Sequence, residues 1–372
     1  MIAACDQAPA HIKAIAAYQP GKPTSELARE LNLDEVSIVK LASNENPLGA
    51  SPAAIAAIQK ILTGISLYPD GSGYQFKSAL IKKYGVSREQ IVLGNGSNDV
   101  LELAGRTFLT SRDSAVFSQH AFAVYPLTVQ AIGAQAIEVP ALNFGHDLPA
   151  MARAIRNDTR VVFVANPNNP TGTFASADVL LAFIKSVPLE TIIVLDEAYT
   201  EYLPLAQKFD STVWLKEFPN LLISRTLSKA YGLAGLRVGF ALGHPDVIDL
   251  INRVRQPFNV NSLALTAATA ALDDDEFLAK SAELNRQGLS HLAEGFEKLG
   301  LKFIPSFGNF ICVEVGDAAA MFQFLLRQGV IVRPVAGYGM PRHLRISVGL
   351  PEQNGRFLEA LAAGLTQLSA HR

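Results

Sequence analysis

VVFVANPNNPTG at residues 161–172, TIIVLDEAY at 191–199 and LLISRTLSK at 221–229 follow one pattern. Each opens with a short apolar run rich in β-branched residues and closes on polar or turn-forming ones. Runs this short, apolar throughout rather than alternating, predict strands buried on both faces, as in a parallel sheet. Amphipathic stretches such as 175–186 lie between them, so the chain predicts βαβ units and an α/β body. Open α/β sheets present ligands beyond the carboxyl ends of their strands, and the polar residues here stand at those ends.

Working outward, residues 263–299 read as helical, with acidic caps at Asp273–Asp275. Strand-like pieces at 302–304 and 310–315 follow, then a helix at 318–328, strands at 330–332 and 344–348, and a last helix at 352–369. That order predicts a separate α+β unit at the C-terminal end. The first forty residues contain prolines and read as irregular, draped over the body.

Composition narrows the function. With 49% hydrophobic and 18% charged residues the chain is built for a core, not for disorder. A near balance of 32 basic and 34 acidic residues gives no nucleic-acid surface. Two cysteines, Cys5 and Cys312, are too few for a disulfide framework and suit a reducing cytoplasm. Cys312 sits in an apolar run and reads as a core residue. No apolar run approaches the ~18 residues of a membrane span, and MIAACDQAPA has no basic n-region, so neither a span nor a signal peptide is expected. The histidines show no metal-ligand spacing, and no internal repeat or low-complexity segment is present.

The strand ends carry the chemistry. Lys229 lies in a loop just after an apolar strand, where desolvation would keep its amine partly deprotonated for imine formation; the plain alternative is a solvated surface lysine. Arg237 follows after Gly232 and Gly235, and with the hydroxyls of Thr226 and Ser228 it makes a natural phosphate cradle. Asp196 ends a buried strand, where a carboxylate needs a cationic partner such as a protonated pyridine nitrogen, unless it only caps the next helix. Tyr199, three residues on, could donate to a phenolate oxygen, and Asn169 in the Asn-Pro turn could offer an amide to the same atom. GNGSND at 94–99 enters a helix and presents free N–H groups to a phosphate. It is not the dinucleotide fingerprint, because Asp99 stands where the third Gly should, and no GxxxxGK[ST] occurs. Phe122 could stack on an aromatic ring or fill the core.

Together these segments resemble the fold-type I pyridoxal 5'-phosphate (PLP) enzymes, and most nearly the histidinol-phosphate aminotransferase family. The resemblance covers essentially the whole chain, through YQPGK (18–22), SNENPLG (43–49), YPD (68–70), GNGSND, NPNNPTG, DEAY, TLSKAYGLAGLRVG, SFGNF (306–310) and RISVG (345–349), in family order. It implies a large PLP-binding domain at 42–272 with a mostly parallel, mixed seven-stranded sheet flanked by helices. Residues 1–41 and 273–372 would form a smaller α+β domain with an N-terminal arm. It implies Lys229 as the Schiff-base lysine and proton shuttle, Asp196 on the pyridinium, and Asn169 and Tyr199 on the ring oxygen. Ser97, Asn98, Thr226, Ser228 and Arg237 would bind the phosphate, and Phe122 would stack on the ring where many relatives carry Tyr. Tyr68 would reach the phosphate of a neighbouring subunit, which implies a homodimer with shared sites. Arg345 would grip the substrate α-carboxylate, Arg333 would help with a distal phosphate or carboxylate, and Tyr18 and Asn46 would line the substrate mouth.

The implied activity is ping-pong transamination between L-glutamate and imidazole-acetol phosphate, giving L-histidinol phosphate in histidine biosynthesis in the cytoplasm. Its partners would be small amino-acid and keto-acid substrates, with no nucleic acid, membrane or metal. The rivals are an aromatic-amino-acid aminotransferase on the same scaffold and a threonine-phosphate decarboxylase, which shares SNENP, NPNNPTG and the lysine–arginine core. A PLP-fold transcription regulator would need a DNA-binding extension ahead of Tyr18, and a nicotinamide dehydrogenase would need the missing Gly.

Overall fold

The computed structural model describes residues 2–17 and 21–369. After a short strand β1 (Val39–Lys40), the chain builds one seven-stranded sheet from β2 (Ile91–Gly94), β3 (Ser114–Ser118), β4 (Gln135–Val139), β5 (Thr159–Ala165), β6 (Ile192–Asp196), β7 (Leu221–Thr226) and β8 (Gly239–Gly243), in the order β2-β8-β7-β6-β5-β3-β4. β8 runs antiparallel to both neighbours; the other pairs are parallel. Ala165 pairs with Asp196, and Asp196 with Ser224, so β5, β6 and β7 release their loops along one edge.

Both faces of this sheet are buried, which is why its central strands are apolar without alternation. Val162, Val164, Ile193 and Leu195 pack toward one face with Phe76, Phe183 and Ala264. Val161, Phe163, Ile192 and Val194 pack toward the other with Leu101, Tyr125 and Ile248. Helices Tyr74–Tyr84, Ala177–Ser186 and Ser262–Ala271 cover the first face, and Ser97–Phe108, Val124–Ile132 and Pro245–Val254 the second.

Beyond helix Asp275–Lys298, whose first turn is capped by Asp274 accepting from the Phe277 N–H, the chain makes β9 (Phe303–Ile304), β10 (Phe310–Glu314), β11 (Val330–Ile331), β12 (Arg333–Pro334) and β13 (His343–Ser347). A four-stranded antiparallel sheet, β12-β13-β10-β9, packs against that helix and against Ala318–Arg327 and Pro351–Ser369 through Leu292, Phe296, Phe324 and Phe357. β1 pairs with β11 in parallel, so residues near 40 belong with the C-terminal elements. None of the described helices is long and apolar enough to cross a membrane.

The structure corrects the sequence reading in places. Residues 24–31 are a helix, not irregular chain: Thr24–Leu31 begins after Pro23, buries Leu27 against Ile38 and Ile331, and stops at Asn32 in the left-handed region. One buried leucine in two turns leaves almost no periodic signal. β4 has only Val139 buried and reads as polar because it is an edge strand. The antiparallel sense of β8 has no local signature; it follows from partners that the chain meets only on folding.

Candidate active site

A cavity of about 190 Å³ opens at the carboxyl ends of β5, β6 and β7, closed on its far side by β12 and β13. It gathers Ser97, Asn98, Phe122, Asn169, Asp196, Tyr199, Thr226, Ser228, Lys229, Arg237, Arg333 and Arg345. These come from separate segments, and the level ends of the central strands bring them together.

Asp196 is the last residue of β6 and is buried. Its Oδ2 accepts a 2.8 Å hydrogen bond from the Tyr125 hydroxyl, while Oδ1 is buried with no hydrogen-bond partner among the described residues. Burial pushes its carboxyl up to about 6, against the Tyr125 hydrogen bond, which works the other way. A buried acid with one unanswered oxygen is an acceptor waiting for a donor, ideally a cation.

Lys229 also lines the cavity, half-buried, its Nζ donating to the Ser43 carbonyl at 3.1 Å. Burial, followed by the positive charges of Arg345 and Arg237, lowers its ammonium to about 8. That is the condition a nucleophilic lysine needs near neutral pH.

Next to them runs a hydrogen-bonded chain. The Tyr199 oxygen accepts from Asn44 Nδ2 at 3.0 Å and from Asn169 Nδ2 at 3.2 Å. Asn169 Oδ1 accepts from Arg345 Nη1 at 2.7 Å, and Arg345 Nη2 donates to the Ala42 carbonyl at 2.8 Å. Burial raises the Tyr199 phenol to about 12, so it keeps its proton. With two N–H groups already on its oxygen, its own O–H is left to donate. Arg345 Nε is buried without a partner among the described residues, and its guanidinium sits 5.3 Å from the centre of the Phe310 ring. Arg333 stands directly opposite Arg345 across the β12–β13 pair, and both line the cavity. Like charges in that register repel unless an anion sits between them.

At the other end of the cavity, helix Ser97–Phe108 begins beside Arg237. Its N-cap Gly96 has φ +83°, and a Cβ there would meet Arg237 Nη2 at 2.7 Å; at Gly239 a Cβ would meet the Ser97 nitrogen at 2.5 Å. The glycines thus let a helix N-terminus, a guanidinium and the Thr226 and Ser228 side chains converge on one spot. Such a convergence is chemically suited to an anion.

Some expected residues lie elsewhere. Asn46 does not line the cavity: its amide donates to the Ala230 carbonyl and the Ser281 hydroxyl, and its oxygen accepts from the Leu48 N–H. Asn44, two residues earlier, takes the place at the cavity wall. Tyr68 is 84% exposed, stacked on Phe258 at 4.8 Å, and outside the cavity of its own chain. Tyr18 falls outside the described residues. Cys312 is buried, donates to the Pro170 carbonyl, and has its thiol pushed up to about 12 by burial, as suits a core residue.

The sequence reading missed Asn44, Tyr125 and Tyr338. Asn44 was in view within SNENPLG, and Tyr125 stands one helical turn after Phe122. Tyr338, which also lines the cavity, comes from a Gly- and Pro-rich loop whose aim has no sequence signature.

Comparison with known proteins bears on the family. A family profile described as aminotransferase class I and II matches residues 36–361. Histidinol-phosphate aminotransferase 2 of Nitrosospira multiformis is 60% identical over 97% of this chain and 92% of its own. Histidinol-phosphate aminotransferase 1 of Thiobacillus denitrificans is 60% identical over 95% of this chain and 92% of its own. Among solved structures, histidinol-phosphate aminotransferase from Sinorhizobium meliloti in complex with pyridoxal-5'-phosphate superposes with a TM-score of 0.87 at 26% identity, covering 97% of this chain and 98% of that one. The profile match over most of the chain and relatives at 60% identity show that the chain belongs to the class I and II aminotransferase family.

Proposed function

We propose that this chain is a PLP-dependent histidinol-phosphate aminotransferase, moving an amino group between L-glutamate and imidazole-acetol phosphate in histidine biosynthesis. The observation that carries the reading is the cavity's pairing of opposites: an orphaned, buried carboxylate oxygen on Asp196 at one wall and a depressed lysine, Lys229, near it. A protonated pyridine nitrogen answers the first, an aldehyde the second, and a phosphate ester fits the cradle of Ser97, Thr226, Ser228 and Arg237. The residues present therefore fit the cofactor.

PLP, when bound, would supply an aldehyde for the substrate amine and a cationic ring that withdraws electrons from the substrate Cα. The chain does the rest. Lys229 offers a neutral amine at a cost far below that of a solvated lysine, and would accept and return a proton at the substrate Cα. Asp196 holds a proton on the ring nitrogen. Tyr199 donates its O–H, and Asn169 its amide, toward the ring oxygen. Phe122 presents a π-face. The Ser97 helix end, two hydroxyls and Arg237 hold the phosphate.

Arg345 and Arg333 address the substrate. L-glutamate carries a carboxylate on the amine-bearing carbon; L-histidinol phosphate carries a phosphomonoester one carbon further out. One cationic wall must take both anions in alternate halves of the reaction, and two arginines in cross-strand register supply that charge. An aromatic amino acid needs only one of them. The names of the relatives at 60% identity support the same choice.

Two further parts belong to this proposal. Residues 42–272 form the cofactor domain, and 1–41 with 273–372 the small one; the separate apolar clusters and the β1–β11 pair support that division. The working unit is a homodimer in the cytoplasm. Exposed Ile65, Leu67, Tyr68 and Phe258 support a covered patch there, from which Tyr68 would serve a neighbour's cradle. Sedimentation of the loaded protein as a monomer would refute the dimer.

The decisive test is a half-reaction titration. The bound cofactor's near-visible absorbance is followed while L-histidinol phosphate, L-phenylalanine or L-threonine phosphate is added. Bleaching at much lower L-histidinol phosphate than L-phenylalanine is expected. Preference for L-phenylalanine would assign the chain to aromatic amino acids, and CO₂ release from L-threonine phosphate would make it a decarboxylase.

A further inference from the structure

We propose that Tyr125 is a positioning residue that aims the Asp196 carboxylate and braces Phe122, setting two cofactor contacts with one side chain. This inference rests on the PLP reading above. Tyr125 stands in helix Val124–Ile132, fully buried, away from the cavity lining. Three contacts fix it. Its ring stacks on Phe163 with centroids 4.8 Å apart and planes 9° from parallel. It meets Phe122 edge to face at 5.9 Å and 86°. Its hydroxyl donates to Asp196 Oδ2 at 2.8 Å.

A phenol has one proton to give. Given to Oδ2, it leaves Oδ1 as the unanswered atom and fixes the plane of the carboxylate, because the ring behind it cannot swing. Burial keeps that phenol protonated, so it remains a donor throughout the working pH range. The bond also favours the charged carboxylate. Around Asp196, Lys229 and the Ala198 backbone N–H act in the same direction, while burial and the neighbouring Glu197 oppose them; Tyr199 is the other titratable group beside it and stays neutral. Among these, Tyr125 is the largest influence toward ionisation. Without it, the carboxylate that must hold the ring proton would become neutral at a higher pH. Phe122 would also lose a polar-edged neighbour, though not a ring, in the Phe variant.

Tyr125→Phe keeps the ring, both aromatic contacts and the volume, and removes the hydroxyl alone. PLP affinity of wild type and Y125F is measured by absorbance titration from about pH 5.5 to 9, and the ratio of the two dissociation constants is taken at each pH. The ratio cancels titration of the cofactor's own phosphate and of Lys229. The acidic limb is expected to move up by about one pH unit in Y125F, giving about tenfold weaker binding near pH 6 and a ratio closing toward one at pH 9. In an Asp196→Asn background the same substitution should leave the ratio independent of pH. A ratio that is flat across pH in the Asp196 background, whether at one or above it, overturns the proposal, since a merely structural role weakens binding equally everywhere. Should Y125F not fold, Phe163→Leu loosens the stack while keeping the hydroxyl, and an unmoved limb there overturns the proposal as well. If wild type binds no PLP at any pH, the functional reading itself fails; a flat ratio with normal wild-type binding sinks only the role of Tyr125.

Discussion

Asp196 and Glu197 are neighbours in one motif, yet they lie on opposite faces of the sheet and in opposite states. Glu197 points toward the face of Tyr84 and, among the described residues, leaves no buried oxygen without a partner: its Oε2 takes Arg225 Nη2 at 2.6 Å and Nε at 2.9 Å, with both residues buried. The Arg225 guanidinium sits 5.0 Å over the Tyr84 ring. Asp196 points toward the face of Tyr125 and is answered on one oxygen only. A satisfied buried acid ties strand ends together; an unsatisfied one is a place for a ligand. The strand alternation that separates them by one residue therefore separates scaffold from chemistry.

Four outcomes would sharpen or break that contrast. The largest is Lys229→Ala, which should lower turnover by at least about 10⁴-fold, the upper range for a positioned acid–base group, with no loss of unfolding free energy. Normal turnover would show that the cavity side is not where the chemistry lies. Next, Arg225→Ala should lower unfolding free energy in urea by about 3–5 kcal/mol, because Glu197 is left buried and alone. A loss below 1 kcal/mol would mean that water reaches the pair.

Third, Asp196 should weaken the cofactor-stripped protein where Glu197 strengthens it. Its folded carboxyl lies at about 6 against an ordinary 3.8. Between those values the folded state holds more protons than the unfolded one, so stability falls as pH rises through that window and stays lower above it. Relative to wild type, Asp196→Asn should therefore gain on the order of 3 kcal/mol in urea unfolding between about pH 4 and pH 7. A pH-independent difference would place the titration elsewhere. The smallest effect is Arg345→Lys, which gives up the guanidinium fork and should reduce kcat/KM for L-glutamate by about 10–100-fold, worth ~1.5–3 kcal/mol. An unchanged value would leave Arg333 as the main carboxylate contact.

The comparison also explains what could be read early. Apolar runs ending in NPNNPTG, DEAY and SRTLSK place Asn169, Asp196 and Lys229 at strand ends whatever packs around them. Asn44 and Asn46 are both in SNENPLG with the same chemistry, and local sequence cannot say that the first bonds Tyr199 while the second bonds Ala230 and Ser281. Tyr125 is one aromatic among many until Asp196 is found beside it. Helix Thr24–Leu31 and edge strand β4 were missed because marginal burial leaves a marginal pattern.

From the sequence alone came the α/β class, the family resemblance and the edge of the sheet where polar residues collect, because strand periodicity and turn chemistry act over a few residues. Tertiary structure alone decided which oxygen of Asp196 is left open, that Arg333 faces Arg345, and that burial brings Lys229 down to about 8. Those properties depend on partners from about a dozen to well over a hundred residues away along the chain, and desolvation and register exist only once the partners have met.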